Sequence, residues 1–239
     1  MSNFFRFPHT PHLAWLGQGT PRDDKVLSPE EVDELLSTAV VIEEKLDGAN
    51  LGFSVSPDGD LRAQNRGTYL HSPHGGQFSR LDQWLAIHES RLFDVLDEYL
   101  ILFGEWCAAR HSLDYSSLPD WWLLFDVYDR RERRFWSTRR RDALARKIQV
   151  ATAPYLLKEK VTLKALKELV STQQSKFRSG PLEGVIVRRE DDDWLHARGK
   201  LVRAEFTQAI DSHWRSRRIE WNHLSYGDQN GAGWATEDK

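Results

Sequence analysis

A chain of 239 residues that is 40% hydrophobic and carries ten Trp has enough apolar material for one large core or two small ones. Its 33 Lys and Arg stand against 36 Asp and Glu, a formal net charge of -3, so no global basic field announces a nucleic-acid partner and any such contact must come from a local patch. Cys107, the only cysteine, excludes an intrachain disulfide framework and a cysteine zinc cluster and suits a reducing compartment. With no apolar stretch near the ~20 residues of a membrane span and no secretory leader at the N-terminus, the reading is a soluble, cytoplasmic protein without a membrane partner.

Ser28-Pro29-Glu30-Glu31 combines an N-cap serine, a proline at the first helical position and a capping-box glutamate, which predicts a short helix over 29–37. Apolar or alternating runs then predict strands at Val40 to Leu46, Leu51 to Val55 and Leu61 to Gln64, the last two joined by the turn Pro57-Asp58-Gly59-Asp60. Leu81, Trp84, Leu85, His88, Leu92, Val95 and Leu96 recur at helical spacing and predict a helix over 81–99, with His88 as a packing residue. Buried strands follow at Leu100 to Cys107 and Trp121 to Tyr128. Capped helices are predicted at Arg139 to Val150 and Leu163 to Val170, and two more strands at Glu183 to Arg189 and Trp194 to Val202 flank an acidic turn. From 225 onward the chain is Gly-rich and polar, so a flexible tail is expected there, after a single domain over 1–224. The sum is an α+β chain of antiparallel sheets flanked by helices.

Charged groups interrupt these apolar strands. Lys45 lies between carboxylates in Glu43-Glu44-Lys45-Leu46-Asp47-Gly48-Ala49-Asn50. Glu105 lies in Leu-Phe-Gly-Glu-Trp, Glu183 in Leu-Glu-Gly-Val-Ile-Val-Arg, and Lys200 in Arg-Gly-Lys-Leu-Val-Arg. Each would be costly to bury unless paired or used; each could also face water as an edge-strand charge.

Taken in order, KLDGAN, Asn65-Arg66-Gly67, LFGEW, FDVYD, LEGVIVR and RGKLVR resemble the motif series of the covalent nucleotidyltransferase superfamily, which contains ATP-dependent RNA and DNA ligases and mRNA capping enzymes. The resemblance spans about Glu43 to Arg203. It implies a nucleotidyltransferase (ATP-grasp-like ligase) core in which Lys45 attacks the α-phosphorus of ATP and carries AMP as a phosphoramidate. It further implies catalytic roles for Lys45, Asp47 and Lys200, and nucleotide contacts from Glu44 to the adenine amine, Glu105 to the ribose, Phe125 to the purine face and Arg66 to a phosphate. Glu183 and Arg198 join that nucleotide-binding set, and Mg2+ or Mn2+ would be held by Asp47 and Glu183. The carboxylates around Lys45 stabilise its ammonium, so Lys200, Arg198 and the divalent ion would have to oppose them.

Two departures bear on the substrate. The last motif reads Arg198-Gly199-Lys200 where many relatives have two lysines, with Arg203 three residues on as a further substrate-binding candidate. Asn50, five residues after the lysine, resembles RNA ligases of the bacteriophage type-2 kind, where this position engages the terminal nucleotide; a turn-favouring asparagine is the structural alternative. Only 36 residues follow Arg203, too few for an OB domain, and Phe206 to Leu224, with Trp214, Arg215, Arg217 and Arg218, is expected to pack back on the core. Upstream, Phe7 to Leu13 and the cluster around Arg22 and Lys25 look like lead-in segments, the two cations being candidates for the outer phosphates or simply solvated. Nine Lys and Arg between Arg130 and Lys147 make either a phosphate-binding or a solvated face. The expectation is an RNA ligase acting on RNA ends, with a minimal DNA ligase, on DNA or mixed duplexes, and a non-ligating nucleotide- or RNA-binding protein as the open alternatives. Oligomeric state is not legible.

Overall fold

The computed structural model describes residues 4–18, 25–208 and 218–225; Arg22, Trp214, Arg215, Arg217 and the tail beyond 225 lie outside them. Helix α1 (Pro29–Leu35) starts on the anticipated capping box. The Glu31 N–H donates to Ser28 Oγ at 3.2 Å, and the Ser28 N–H donates to Glu31 Oε2 at 2.8 Å. The chain then builds β1 (Val40–Lys45), β2 (Ala49–Val55), β3 (Leu61–Gln64), β4 (Tyr69–Leu70), α2 (Leu81–Phe93), β5 (Leu100–Trp106), β6 (Trp122–Asp129) and β7 (Arg134–Phe135). After these come α3 (Thr138–Ile148), β8 (Ala151–Thr152), β9 (Tyr155–Glu159), α4 (Leu163–Thr172), β10 (Gly184–Glu190), β11 (Leu195–Val202) and α5 (Ala204–Gln208). No described helix is long and apolar enough to cross a membrane.

Two sheets result. The smaller has the order β11-β10-β1-β9, and the larger runs β4-β3-β2-β5-β6-β7, with β8 pairing parallel to β6. All other strand pairs are antiparallel. Each sheet covers its own core. Val40, Ile42, Val185, Val187 and Leu201 of the smaller sheet pack with Val32 and Leu35 of α1 and Leu166 and Val170 of α4. Leu51, Phe53, Leu102, Trp106, Trp122 and Leu124 of the larger sheet pack with Leu81, Trp84 and Leu92 of α2 and Leu144 and Ile148 of α3.

The short elements β4, β7, β8 and α5 were not expected, and two further departures have a clear physical cause. Helix α2 stops at Phe93 rather than near Tyr99, because the Asp97 carboxylate accepts from the N–H groups of Tyr99 and Leu100, both at 2.9 Å, a local turn that competes with helix and launches β5. Strand β9 was not anticipated. It is the edge of the smaller sheet, Tyr155-Leu156-Leu157-Lys158-Glu159, whose Tyr155, Lys158 and Glu159 are exposed, and such an edge gives no clean alternating signal.

Period-two alternation sorts the residues of β1 between two environments. Val40 and Ile42 face the α1/α4 core, so Glu43 and Lys45 face the larger sheet. Glu43 there enters an ionic network that joins the sheets. Arg141 of α3 reaches Glu43 at 2.7 Å, and Arg188 of β10 reaches Asp126 of β6 at 2.9 Å, Glu190 at 3.3 Å and Glu43 at 3.8 Å. Arg198 of β11 pairs with the other oxygen of Asp126. Glu43, Asp126, Arg141 and Arg188 are all at least 98% buried. The guanidinium groups also donate to main-chain carbonyls, Arg141 to that of Phe125 at 3.0 Å and Arg188 to that of Trp136 at 3.2 Å.

Removing one member strands its partners in low dielectric. Arg188→Met should therefore destabilise the fold by about 3–5 kcal/mol, read as a lowered urea midpoint at unchanged slope; a loss under ~1 kcal/mol would show that the network behaves as a surface pair.

Candidate active site

Between the sheets opens a cleft of about 530 Å³, a size suited to a nucleotide-sized ligand. From the smaller sheet it is lined by Glu43, Glu44, Lys45, Ile186, Arg188, Arg198 and Lys200, and from the larger by Ala49, Asn50, Glu105, Phe125 and Asp126. Asn65, Arg66, Gln77, His9 and Thr10 complete its rim. Lys45, Asn50, Arg66, Glu105, Phe125, Arg198 and Lys200, named from the sequence, are thus brought together.

Lys45 ends β1 opposite Gly184. Its ammonium donates to both oxygens of Glu183, at 2.8 and 2.7 Å. Burial alone would pull the lysine pKa down, but Glu183, Glu105 and Asp47 outweigh it and push it up to about 12. Burial drives the carboxyl of Glu105 up to about 7, and Glu183 and Asp47 add to the rise against the pull of Lys45. Burial likewise lifts Glu183 to about 7, opposed first by Lys45. The cleft's own groups therefore hold a protonated lysine in excess negative charge. The cleft is arranged to receive compensating positive charge.

The Asp47-Gly48 step explains how Lys45 and Glu105 meet. A Cβ on Gly48 would lie 2.5 Å from the Trp106 carbonyl, so only glycine lets the turn after β1 press onto β5. There the Gly48 N–H donates to Glu105 Oε1 at 3.1 Å. Asp47 itself serves this turn. Its Oδ2 accepts from the N–H groups of Ser112 and Leu113, both at 2.7 Å, while its own N–H donates to the Tyr115 hydroxyl at 2.9 Å.

Phe125 reaches the cleft through a β-bulge. Phe103 pairs with Asp126 and Gly104 with Leu124, which leaves Phe125 as the extra residue. A bulge re-aims a side chain and frees a carbonyl. Here the ring lines the cleft, 5.2 Å edge-on to Phe7, and the carbonyl takes Arg141. Lys200 is held by the N-terminal segment: its N–H donates to the Pro11 carbonyl and its carbonyl accepts from Leu13, each at 2.8 Å. The lead-in around Phe7 thereby becomes cleft wall. Asn50 Oδ1 and Arg66 Nε are buried without a hydrogen-bond partner among the described residues, the condition of groups waiting for a ligand.

Other expectations do not survive as geometry. The Glu44 carboxylate points away from Lys45, on the Val40/Ile42 face of β1, where it accepts from Ser175 Oγ at 2.6 Å and from the Lys176 N–H at 2.8 Å. Neighbours on a strand cannot share a face, so a base contact from Glu44 needs its main chain or release of these bonds. Asp47 and Glu183 stand behind the lysine, outside the cleft lining. Arg203 is not in the cleft: its guanidinium donates to the Val170 and Ser171 carbonyls at 3.1 and 3.0 Å, where the last turn of α4 leaves acceptors unmet. Arg198 is occupied by Asp126 and by the rings of Phe7 and Phe135, each 4.4 Å away. Lys25 pairs with Glu31 at 2.6 Å on the surface. Sequence reasoning missed Asp126, Arg141, Arg188, Gln77 and His111; of these Arg141 alone had a clear signal, recurring with Leu144, Ala145 and Ile148 on the buried face of α3.

Two antiparallel sheets closing on a lysine-centred cleft have the architecture of a nucleotidyltransferase core. A family model for RNA ligase matches residues 38–202, and the chain belongs to that family. Among solved structures, the RNA ligase of Naegleria gruberi with PPi is similar at 17% identity and TM-score 0.59, over 85% of this chain and 63% of that one. A variant of the same enzyme with ATP and Mn gives 16% identity and TM-score 0.55, over 75% and 54%. An archaeal ATP-dependent RNA ligase gives 16% and 0.55, over 84% and 48%. The chain thus spans about half to two thirds of these relatives. No curated protein sequence matches it.

If the carboxylates hold Lys45 protonated, removing the nearest one must lower its pKa. Glu183→Gln should bring Lys45 from about 12 toward or below the ordinary lysine value, ~10.4, because burial still acts against the charge. Competitive acetylation across pH, read on the Lys45 peptide, measures this; an unchanged titration would remove Glu183 as the controlling charge.

Proposed function

We propose that this chain is an ATP-dependent RNA ligase that joins 3'-OH and 5'-phosphate ends through lysyl-AMP on Lys45 and an adenylylated RNA end. The observation that carries the reading is the placement of Lys45 at the cleft end of β1, its ammonium bound by Glu183 and faced by Glu105, in a chain of the RNA ligase family. The reducing compartment that suits a buried free Cys107 agrees with action in the cytoplasm.

In this reading the Lys45 amine attacks the α-phosphorus and expels pyrophosphate. With its pKa pushed up by the surrounding carboxylates, the amine is almost wholly protonated near pH 7, so the nucleotide complex must draw its proton off. Phe125 and Ile186, on opposite walls, offer apolar faces for a purine. Glu105 would meet the ribose hydroxyls, and Arg66 and Lys200 the phosphate oxygens; that all three line the same cleft supports this. Among the described residues no cluster of three or more His, Cys, Asp or Glu forms a metal centre. The carboxylates around the lysine would suit instead a hydrated Mg2+ or Mn2+, an ion that keeps much of its water. Glu183, helped by Asp47, would anchor that shell, and the bound ion would supply positive charge that lowers the lysine pKa and offsets the phosphates. Asn50, with its buried unpaired oxygen, is suited to the strand end in the sealing step.

Incubation with α-labelled ATP and Mg2+ should give acid-labile AMP on the protein, abolished by Lys45→Ala; retention of stoichiometric label in that variant would displace Lys45. Single-turnover lysyl-AMP formation should climb with pH through the neutral range, up to about tenfold per unit, because the reactive base is the minor form below its pKa. A flat profile would mean proton loss precedes the measured step. Asn50→Ala should retain lysyl-AMP formation but seal pre-adenylylated RNA ~100-fold more slowly; parental sealing by that variant would leave Asn50, a residue of strand β2 and not of a turn, with no part in sealing.

A further inference from the structure

Gln77 and His111 lie on opposite sides of α2 in sequence, and no motif of the cleft includes either. Gln77 occupies a single helical turn, Gly76–Phe78, between β4 and α2. The turn is fastened twice. Phe78 is buried in the larger core, and the Gln77 carbonyl accepts from the indole N–H of fully buried Trp106 at 2.8 Å. Trp106 pairs with Ala49 of β2, so the turn is pinned beside the lysine-bearing loop.

The side chain is fixed as well. Gln77 Oε1 lies 2.8 Å from His111 Nε2, and an amide oxygen there requires the imidazole nitrogen to donate. His111 belongs to the loop whose next two N–H groups hold Asp47. The amide is therefore oriented by the same loop that orients the turn after Lys45. With its oxygen committed to His111, the Gln77 NH2 group is left with two donors and no described residue taking them, in a side chain that lines the cleft with Asn50 and Arg66.

We propose that Gln77 is a phosphate subsite of the cleft, its NH2 donating to a non-bridging phosphate oxygen, and that His111 is the positioning residue that turns the amide that way. A neutral double donor suits this place. Another cation would be drawn to Glu105 and Glu183, whereas an amide binds a phosphate oxygen without joining that charge balance. Two sources carry the same chemistry: the outer phosphates of ATP, or the 5'-phosphate of the RNA strand. The inference rests on the adenylyltransferase reading of the cleft.

The test uses the full chain and separates the sources. Gln77→Glu keeps size, removes the donors and sets a carboxylate against both His111 and phosphate; Gln77→Met removes the donors without charge. One arm follows single-turnover lysyl-AMP formation from ATP, and the other follows sealing of pre-adenylylated RNA. Loss of about 10- to 100-fold with Gln77→Glu, and less with Gln77→Met, assigns the nucleotide phosphates if it falls in the first arm and the RNA phosphate if in the second. The unfolding temperature of Gln77→Glu should be unchanged or higher, because the new carboxylate pairs with His111. A structural role predicts the opposite coupling. His111→Ala should repeat a milder form of the defect in the same arm, as a raised KM, and His111→Gln, which keeps an N–H donor, should rescue it. Both arms within twofold of the parent, or losses that track a falling unfolding temperature in both Gln77 variants, would overturn the proposal. If the parent itself forms no lysyl-AMP, the ligase reading fails first; calorimetric binding of ATP and of a 5'-phosphorylated oligoribonucleotide, compared between the parent and Gln77→Glu, then decides the subsite separately, and equal affinities would sink it.

Discussion

The structure depends on the ionic network sealed between its two sheets. Glu43, Arg188 and Arg198 come from the smaller sheet, Asp126 from the larger and Arg141 from the helix behind it. Such a cluster adds little net stability compared with apolar packing of the same shape, since desolvation consumes most of the Coulomb energy. What it adds is a fixed geometry. Apolar sheets could slide over one another, but each guanidinium satisfies its carboxylates in one arrangement. The two walls of the cleft are thereby held at one separation and register. Network and cleft are contiguous, because Glu43, Asp126, Arg188 and Arg198 also line the cavity.

The same strand that feeds the network carries the lysine. On β1, Glu43 and Lys45 are two residues apart and so share a face. Glu43 is fully compensated by arginines, whereas Lys45 is over-compensated by Glu183, Glu105 and Asp47. One position is finished and the other is left with surplus negative charge. That difference separates scaffold from site within three residues. A nucleophilic amine would ordinarily be activated by desolvation or a neighbouring cation; at Lys45 the surrounding carboxylates outweigh the effect of burial. On the proposed ligase reading, activation of Lys45 falls to what binds, which would tie the chemistry to the arrival of the nucleotide and its counter-ion.

Much of this was legible because the strands are apolar and the charges interrupting them are few. Glu105 and Lys200 could be placed by asking why a charge should lie in a buried run, and the capping box of α1 was readable residue by residue. The failures have physical causes. Glu44 follows Glu43 and precedes Lys45, and treating neighbours as one constellation ignored the alternation that sends its carboxylate to Ser175. Arg203 was read with its motif, although it lies one residue beyond β11, where the open carbonyls of α4 were the nearer acceptors. Asp126 and Arg188 are ordinary letters in apolar strands, and only the meeting of two sheets, distant in sequence, explains them. Local periodicity carries no information about that meeting.

The bulge at Phe125 shows how such long-range facts become site geometry. An unbroken β5/β6 ladder would hold the Phe125 carbonyl in the pairing and keep its neighbours in strict alternation. Inserting one residue releases that carbonyl to Arg141 and turns the ring toward the cleft while Asp126 remains aimed at Arg188 and Arg198. One irregularity thus serves both the clamp and the cavity wall. Relaxing the ladder to regular pairing would misplace the ring and unpair two arginines together. The cleft's shape and the sheets' union are therefore not separable properties of this chain: the backbone feature that presents an aromatic face to a ligand also completes the ionic seam that keeps the opposite wall in place.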